Sequence, residues 1–172
     1  MVAKWSSDEM KIFTERARSG DLKSQIDLGR AYLDGDFVEN DGRSAFFWFR
    51  QAADQGSKEA KYRLAIIMLG RRHAEGYAML EELSDFPPAL YELGTIYCAG
   101  GRWSSDSRIT IKKDTDKAVD CWSRAADAGH LLAKIQFLKH HCARAKIYKK
   151  PTYIYGRIGA IIGNRHLSAR QP

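Results

Sequence analysis

The chain lacks most of the features that would mark it as a membrane protein, a secreted protein or an enzyme. No apolar run of 18 residues occurs, so a membrane-spanning helix is not expected. The first nine residues, Met-Val-Ala-Lys-Trp-Ser-Ser-Asp-Glu, carry charge where a secretory signal needs an apolar stretch, and a cytoplasmic location is the expectation. Three cysteines are too few for a disulfide framework. There is no nucleophile elbow, phosphate loop, zinc-hydrolase helix or dinucleotide fingerprint, and no Cys-x-x-Cys or His-x-x-x-His spacing. Neither catalysis nor a cofactor is therefore implied.

Acid is missing from one end altogether. Residues 1–127 hold all 21 acidic residues and 19 of the Lys and Arg, a net charge of −2. Residues 128–172 hold 9 Lys and Arg and no acid, a net charge of +9. Four of the five histidines (His130, His140, His141, His166) share that end. Such asymmetry points to an interaction arm or a specialised terminal cap, and it favours partners with acidic surfaces.

A degenerate repeat organises the rest. One copy runs Ala17, Gly20, Leu28, Gly29, Tyr32, Gly35, Asp41, Ala45, Trp48, Ala52, Ala53, Gly56, and a second runs Leu93, Gly94, Tyr97, Gly100, Asp114, Ala118, Trp122, Ala125, Ala126, Gly129. A shortened copy lies between them, with Ala60, Leu64, Ala65, Met68, Ala74 and Tyr77 in the matching places and Glu81-Glu82 for the paired alanines. Aligned on Ser24, Ala60, Ala89 and Ala133, the units step by 36, 29 and 44 residues, and the variation falls in one loop. Periods of this length belong to stacked helical hairpins.

Apolar spacing and punctuation predict helices at 7–19, 21–33, 41–55, 57–70, 72–84, 88–99, 114–128 and 130–144. Ser7 and Asp41 are expected caps, Gly20 a stop, and Pro87 and Pro88 suit a first turn, where no backbone donor is needed. Gly29, Ala65 and Gly94 share a column where a small residue lets a neighbouring helix approach, with Trp48, Tyr77 and Trp122 filling the gap between hairpins. Leu138 and His141 break the pattern in the fourth unit, so regular stacking should end there. Residues 1–144 then form the solenoid, about three and a half repeats, and residues 145–172 a basic cap or tail.

The order Ala-Gly, Leu-Gly, Tyr, Gly, Asp, Ala, Trp, Ala-Ala, Gly resembles the Sel-1-like repeat, a relative of the tetratricopeptide repeat, over about residues 7–142. The resemblance implies an all-α, right-handed α/α superhelix that serves as an adaptor in protein complexes. Bacterial relatives are associated with signalling, host contact and the neutralising of secreted toxins. A secreted, cysteine-rich subgroup has a disulfide in each repeat. This chain lacks those cysteines, so that subgroup's suggested penicillin-binding activity is not carried over.

Candidate sites divide into surface and core readings. Asp34, Asp36, Glu39 and Asp41 crowd one loop, but a calcium hand fails at Val38, Glu39 and Ala45, leaving a solvated loop that ends in a helix cap. His140, His141 and Cys142 are adjacent on a helix and point about 100° apart, so they make no metal site. His141 is expected to replace the core tyrosine and His140 to be exposed. Cys98 and Cys142 occupy equivalent places on neighbouring helices, about 8–10 Å apart. A disulfide needs Cα atoms within about 7 Å, so that pair is expected to be reduced; a Cys98–Cys121 bridge stays open.

The concave surface should be lined by two columns, Asp27, Arg63, Glu92, Gln136 and Arg30, Ile66, Thr95, Lys139, which is where solenoids usually take a partner. The long loop adds Trp103 amid Arg102, Arg108, Lys112 and Lys113, either an interface anchor or a side chain tucked onto the stack. His140, Arg144, Lys146, Lys149 and Lys150 extend the candidate surface into the basic end. The expected function is non-enzymatic binding of a protein partner on the concave surface, with an immunity protein against a bacterial toxin as a specific form. The alternative is nucleic-acid or anionic-membrane association through the basic end, whose interleaved tyrosines, isoleucines and cations suit either. Those apolar residues can equally cover the open end of the stack.

Overall fold

The computed structural model describes residues 7–35, 39–71, 73–102 and 110–144, with side chains placed for these apart from Ser7, Arg102 and 141–144. Eight helices follow one another among the described residues: α1 (Ser7–Arg18), α2 (Leu22–Asp34), α3 (Gly42–Asp54), α4 (Lys58–Gly70), α5 (Ala74–Glu82), α6 (Pro87–Ala99), α7 (Thr115–Asp127) and α8 (Leu131–Arg144). Each packs on the helix before it and the helix after it, the α5–α6 contact being the slimmest. This is the expected right-handed superhelix of hairpins, and the expected spans hold to within two residues at each end. The side chains of Ser7 and His141, and all of residues 145–172, lie outside the described residues.

Two recurrent hydrogen-bond patterns make the hairpins. Where a second helix gives way to the next first helix, Gly20, Gly56 and Gly129 sit at φ 96°, 90° and 90°. In each case the glycine N–H donates to Ala17, Ala53 or Ala126, and the next residue donates one step further back, to Arg16, Ala52 or Ala125. That is a Schellman turn, and the left-handed backbone it needs explains the glycine at this place. Inside each hairpin, the N-cap of the second helix closes the loop. The N–H groups of Asp41, His73 and Asp114 donate to the carbonyls of Tyr32, Met68 and Tyr97, each at 2.9 Å. Three loops of different length thus shut on the same bond.

Asp21, Asp41 and Asp114 cap the following helices through their carboxylates. The Ser24 side chain and N–H hold the Asp21 carboxyl below its usual range, and the Ser44 hydroxyl and Arg43 N–H do the same for Asp41. Pro87 and Pro88 occupy the first turn of α6. The long loop holds a feature not expected from the sequence, a short antiparallel pair of strands, β1 (Gly101–Arg102) and β2 (Thr110–Ile111). Ile111 is buried in the main core and pins the loop to the stack.

The core shows a different repeat register from the one the sequence suggests. Phe49, not Trp48, is the partner of the Gly29 column: a Cβ on Gly29 would lie 2.7 Å from the Phe49 ring, just as one on Gly94 would lie 2.5 Å from Trp122. Phe49 and Trp122 are therefore equivalent, whereas Trp48 turns the other way to join Ala17 and Leu28. In the middle unit the buried positions are Gly76, Leu80 and Leu83. Ala74 and Tyr77 are not the matching residues, and Glu81-Glu82 do not replace the paired alanines. Gly76 is what lets α5 close on α4, because a Cβ there would meet the Ala65 carbonyl at 2.7 Å.

Candidate partner-binding surface

The first helices α2, α4, α6 and α8 carry the two candidate columns at equivalent places. Asp27, Arg63, Glu92 and Gln136 are all half-buried, each standing one residue before a buried Leu28, Leu64 or Leu93, or the partly buried Phe137. In the second column Arg30, Thr95 and Lys139 are exposed and Ile66 is half-buried. Thr95 donates its hydroxyl back to the Tyr91 carbonyl at 3.1 Å, so part of its hydrogen-bonding capacity is spent within α6.

Two charges on this surface are poorly hydrated. Burial pushes the Glu92 carboxyl above its usual range, with the Tyr62 hydroxyl, 3.5 Å away, opposing the shift. Arg63 reaches Glu59, one turn earlier on α4, at 3.8 Å, yet its buried Nε has no acceptor. A buried donor left without a partner costs about 1–3 kcal/mol. Carboxylate and guanidinium thus sit on adjacent first helices with less water and fewer partners than exposed charges enjoy.

The remaining candidates scatter. His140 is a correction: it is half-buried, with its ring 4.8 Å from Trp122, because α8 lays that face on α7. It serves packing there. Arg102 has its backbone in β1 and Arg144 closes α8, but their side chains lie outside the described residues, as do Trp103, Arg108, Lys146, Lys149 and Lys150. Lys112 and Lys113 are exposed at the loop's end. Cys98 and Cys121 are free thiols, which answers the open question of a bridge, and burial pushes the Cys121 thiol up. No group of three or more His, Cys, Asp or Glu among the described residues could hold a metal ion. No helix among them is long and apolar enough to cross a membrane.

Two surface features escaped the sequence reading. One is an open cleft of about 520 Å³ beside α1 and α3, lined by Arg18, Phe47, Trp48, Gln51 and Gln55 among others. Gln55 donates to Gln25 at 2.7 Å, which donates in turn to the Ala17 carbonyl at 3.0 Å. In the third hairpin the equivalent gap is bridged by Arg124, which donates to the Ser84 carbonyl at 2.7 Å; the first hairpin has Gln51 in that place. The other feature is the bare outer side of α8, with Leu131, Leu132 and Ile135. Its signal was the triplet of apolar residues spaced i, i+1, i+4 on a side the repeat does not need.

The repeated geometry has counterparts among known proteins. The Sel1 repeat profile matches residues 22–57 and 87–130, which are the first and third full units of the stack. These two units are Sel1 repeats. This solenoid is similar to a Sel1 repeat protein from Oxalobacter formigenes, with 27% identity and a TM-score of 0.54, the match covering 76% of this chain and 98% of that one. Its fold is also that of c5321, a protective antigen of uropathogenic Escherichia coli with an SLR fold, at 24% identity and a TM-score of 0.60. That match covers 75% of this chain but only 28% of the antigen's length. No curated protein matches the chain. Sel1 repeats generally mediate protein–protein contacts and are typically non-catalytic.

Proposed function

We propose that this solenoid is a non-enzymatic docking scaffold that takes a protein partner along α2, α4, α6 and α8, the concave side of the superhelix. The observation that carries the reading is the alignment of Asp27, Arg63, Glu92 and Gln136 on successive first helices, with Arg63 and Glu92 poorly hydrated. Charges already partly shielded from water lose less when a partner covers them, and their order along the stack sets its register. Arg30, Ile66, Thr95 and Lys139 would frame this row. The 100–113 loop, with Arg102, Trp103 and Arg108, and the basic end, with Arg144, Lys146, Lys149 and Lys150, would widen the contact and favour an acidic partner. A cytoplasmic site of action belongs to the same proposal. The narrower version, an immunity protein that blocks a bacterial toxin, rests on family analogy and no residue here demands it.

Affinity purification from native lysate, read by mass spectrometry, tests the scaffold reading. The intact chain should retain a protein that Arg63→Glu and Lys139→Glu variants of unchanged circular dichroism lose. Recovery of nucleic acid or lipid alone would sink it in favour of the basic end as a polyanion or membrane contact.

A further inference from the structure

One place on the second helices carries a partnered charge in two hairpins and none in the first. Two residues beyond the buried Phe49, Leu80 and Trp122 stand Gln51, Glu82 and Arg124. Arg124 spans the gap between α7 and the turn that leads into α6, donating to the Ser84 carbonyl at 2.7 Å and lying 3.8 Å from Asp120. In the second hairpin Glu82 is held by Lys61 of α4. The first hairpin has the exposed Gln51 instead, and Phe47 where the third has Asp120. Ser19 is the counterpart of Ser84, each standing two residues before a helix cap. Among the described residues nothing donates to the Ser19 carbonyl. The cleft between α1 and α3 is what this gap becomes when no side chain bridges it.

Acceptors and ring surface dominate its lining. Asp54 is exposed there and has no ion-pair partner among the described residues. Gln55 spends an N–H on Gln25 and keeps its own amide oxygen. The last carbonyls of α1 add the partial negative charge of a helix C-terminus. Phe47, 54% exposed, stands with its ring 5.0 Å from that of Trp48 at 76°, so the two make an angled wall. Arg18 is the cation of the lining and is itself exposed.

We propose that this cleft takes an arginine side chain of a partner protein, which brings from outside the guanidinium that Arg124 supplies in the third hairpin. Asp54, the Gln55 amide oxygen and the free carbonyls at the end of α1 offer acceptors to its five N–H groups, and the Phe47–Trp48 wall offers its flat face a surface to stack on. A lysine, being a compact point charge, would use less of this lining. At about 520 Å³ the cleft falls within the roughly 300–1,000 Å³ of sites that hold small ligands. Arg18 opposes any cation and favours any anion, so removing it has opposite effects on the two kinds of occupant. The site is separate from the row of Asp27, Arg63, Glu92 and Gln136, and it stands whether or not that row takes a partner.

Nuclear magnetic resonance of the full chain, titrated with the blocked peptide acetyl-Gly-Arg-Gly-amide, tests this. The Trp48 indole and the Gln51 and Gln55 side-chain amides should shift saturably. The citrulline counterpart, neutral and of nearly the same shape, should leave them in place. Gln51→Arg should supply the guanidinium from within and abolish the response while the rest of the spectrum is kept. Asp54→Asn should weaken binding about two- to fivefold, and Arg18→Gln should tighten it. Arg63→Glu should leave the titration unchanged, which keeps a failure here distinct from a failure of the concave row. Equal binding of the citrulline peptide would overturn the proposal, marking the peptide backbone as the ligand. So would tighter binding of acetyl-Gly-Glu-Gly-amide, weaker binding by Arg18→Gln, or an undiminished response in Gln51→Arg. Cleft resonances that move with protein concentration alone would also overturn it, marking a second copy as the occupant.

Discussion

Individual residues in this solenoid act mainly through how close two helices can come and which groups lose water. Gly94 stands against the Trp122 ring, whose Nε1 donates to the Tyr91 carbonyl at 3.2 Å, so the indole cannot simply step aside. Gly94→Ala should cost about 1–3 kcal/mol by overpacking, read as a lower urea midpoint. Gly70, at the end of α4, has nothing within 4 Å of a built Cβ. Gly70→Ala should leave stability unchanged or raise it by up to about 1 kcal/mol; equal losses at both sites would refute the packing argument. Glu92 gives a pH signature. Its folded pKa is raised, so the folded state disfavours the ionised carboxylate. The stability linked to this group is complete below its unfolded pKa and is lost as pH rises through the folded value. Glu92→Gln should therefore stabilise the protein at pH 7 and lose that advantage near pH 4. A pH-independent difference in urea titrations would show that burial of this carboxyl is not the cause.

Among the elements, α5 is the weak member. It is nine residues long, begins at His73 without a side-chain cap and meets α6 through the slimmest contact of the stack. A surface cluster supplements that contact: the Tyr77 hydroxyl lies 2.6 Å from Glu81 and 3.0 Å from the Tyr97 hydroxyl. Burial pushes the Tyr77 hydroxyl well up, so it stays a donor at neutral pH. The N-cap backbone at His73, φ −83° and ψ 129°, already suits an aspartate. His73→Asp should add about 1 kcal/mol and slow amide exchange within α5; unchanged exchange there would mean that capping does not limit α5. The same helix shows where sequence reading stopped. Schellman glycines and aspartate caps are local, and from them the eight helices were legible almost to the residue. Core register was not, because Trp48 and Phe49 are neighbours of similar bulk, and only the close approach at Gly29 selects the phenylalanine. In α5 the glutamates beside Leu80 and Leu83 hid a core that the slim contact with α6 leaves narrow. The columns of the candidate surface followed directly from the period, whereas the packing of His140 on Trp122 depends on how α8 rotates onto α7.

For the whole molecule, charge and loop length are the variables the stack leaves free. The acid-free end should steer an acidic partner, so association of the partner identified by Arg63-dependent capture should slow as ionic strength rises while dissociation changes less. Stopped-flow traces at low and near-physiological salt measure this, and a salt-independent rate would rule out steering. The loops obey a different rule. Because Asp41, His73 and Asp114 each latch onto the preceding helix through the same backbone bond, whatever lies between latch and helix acts as an interchangeable cassette. Lengthening such a loop costs only about 0.6 kcal/mol per doubling. Exchanging 98–113 for the shorter 33–40 segment should keep a single cooperative thermal transition and lower its midpoint only by the lost burial of Ile111, about 1.5–3 kcal/mol; loss of cooperative melting would show that the loop and its strands are needed for the stack. If the latch alone suffices, the scaffold can acquire a new specificity by insertion, without renegotiating a single helix contact.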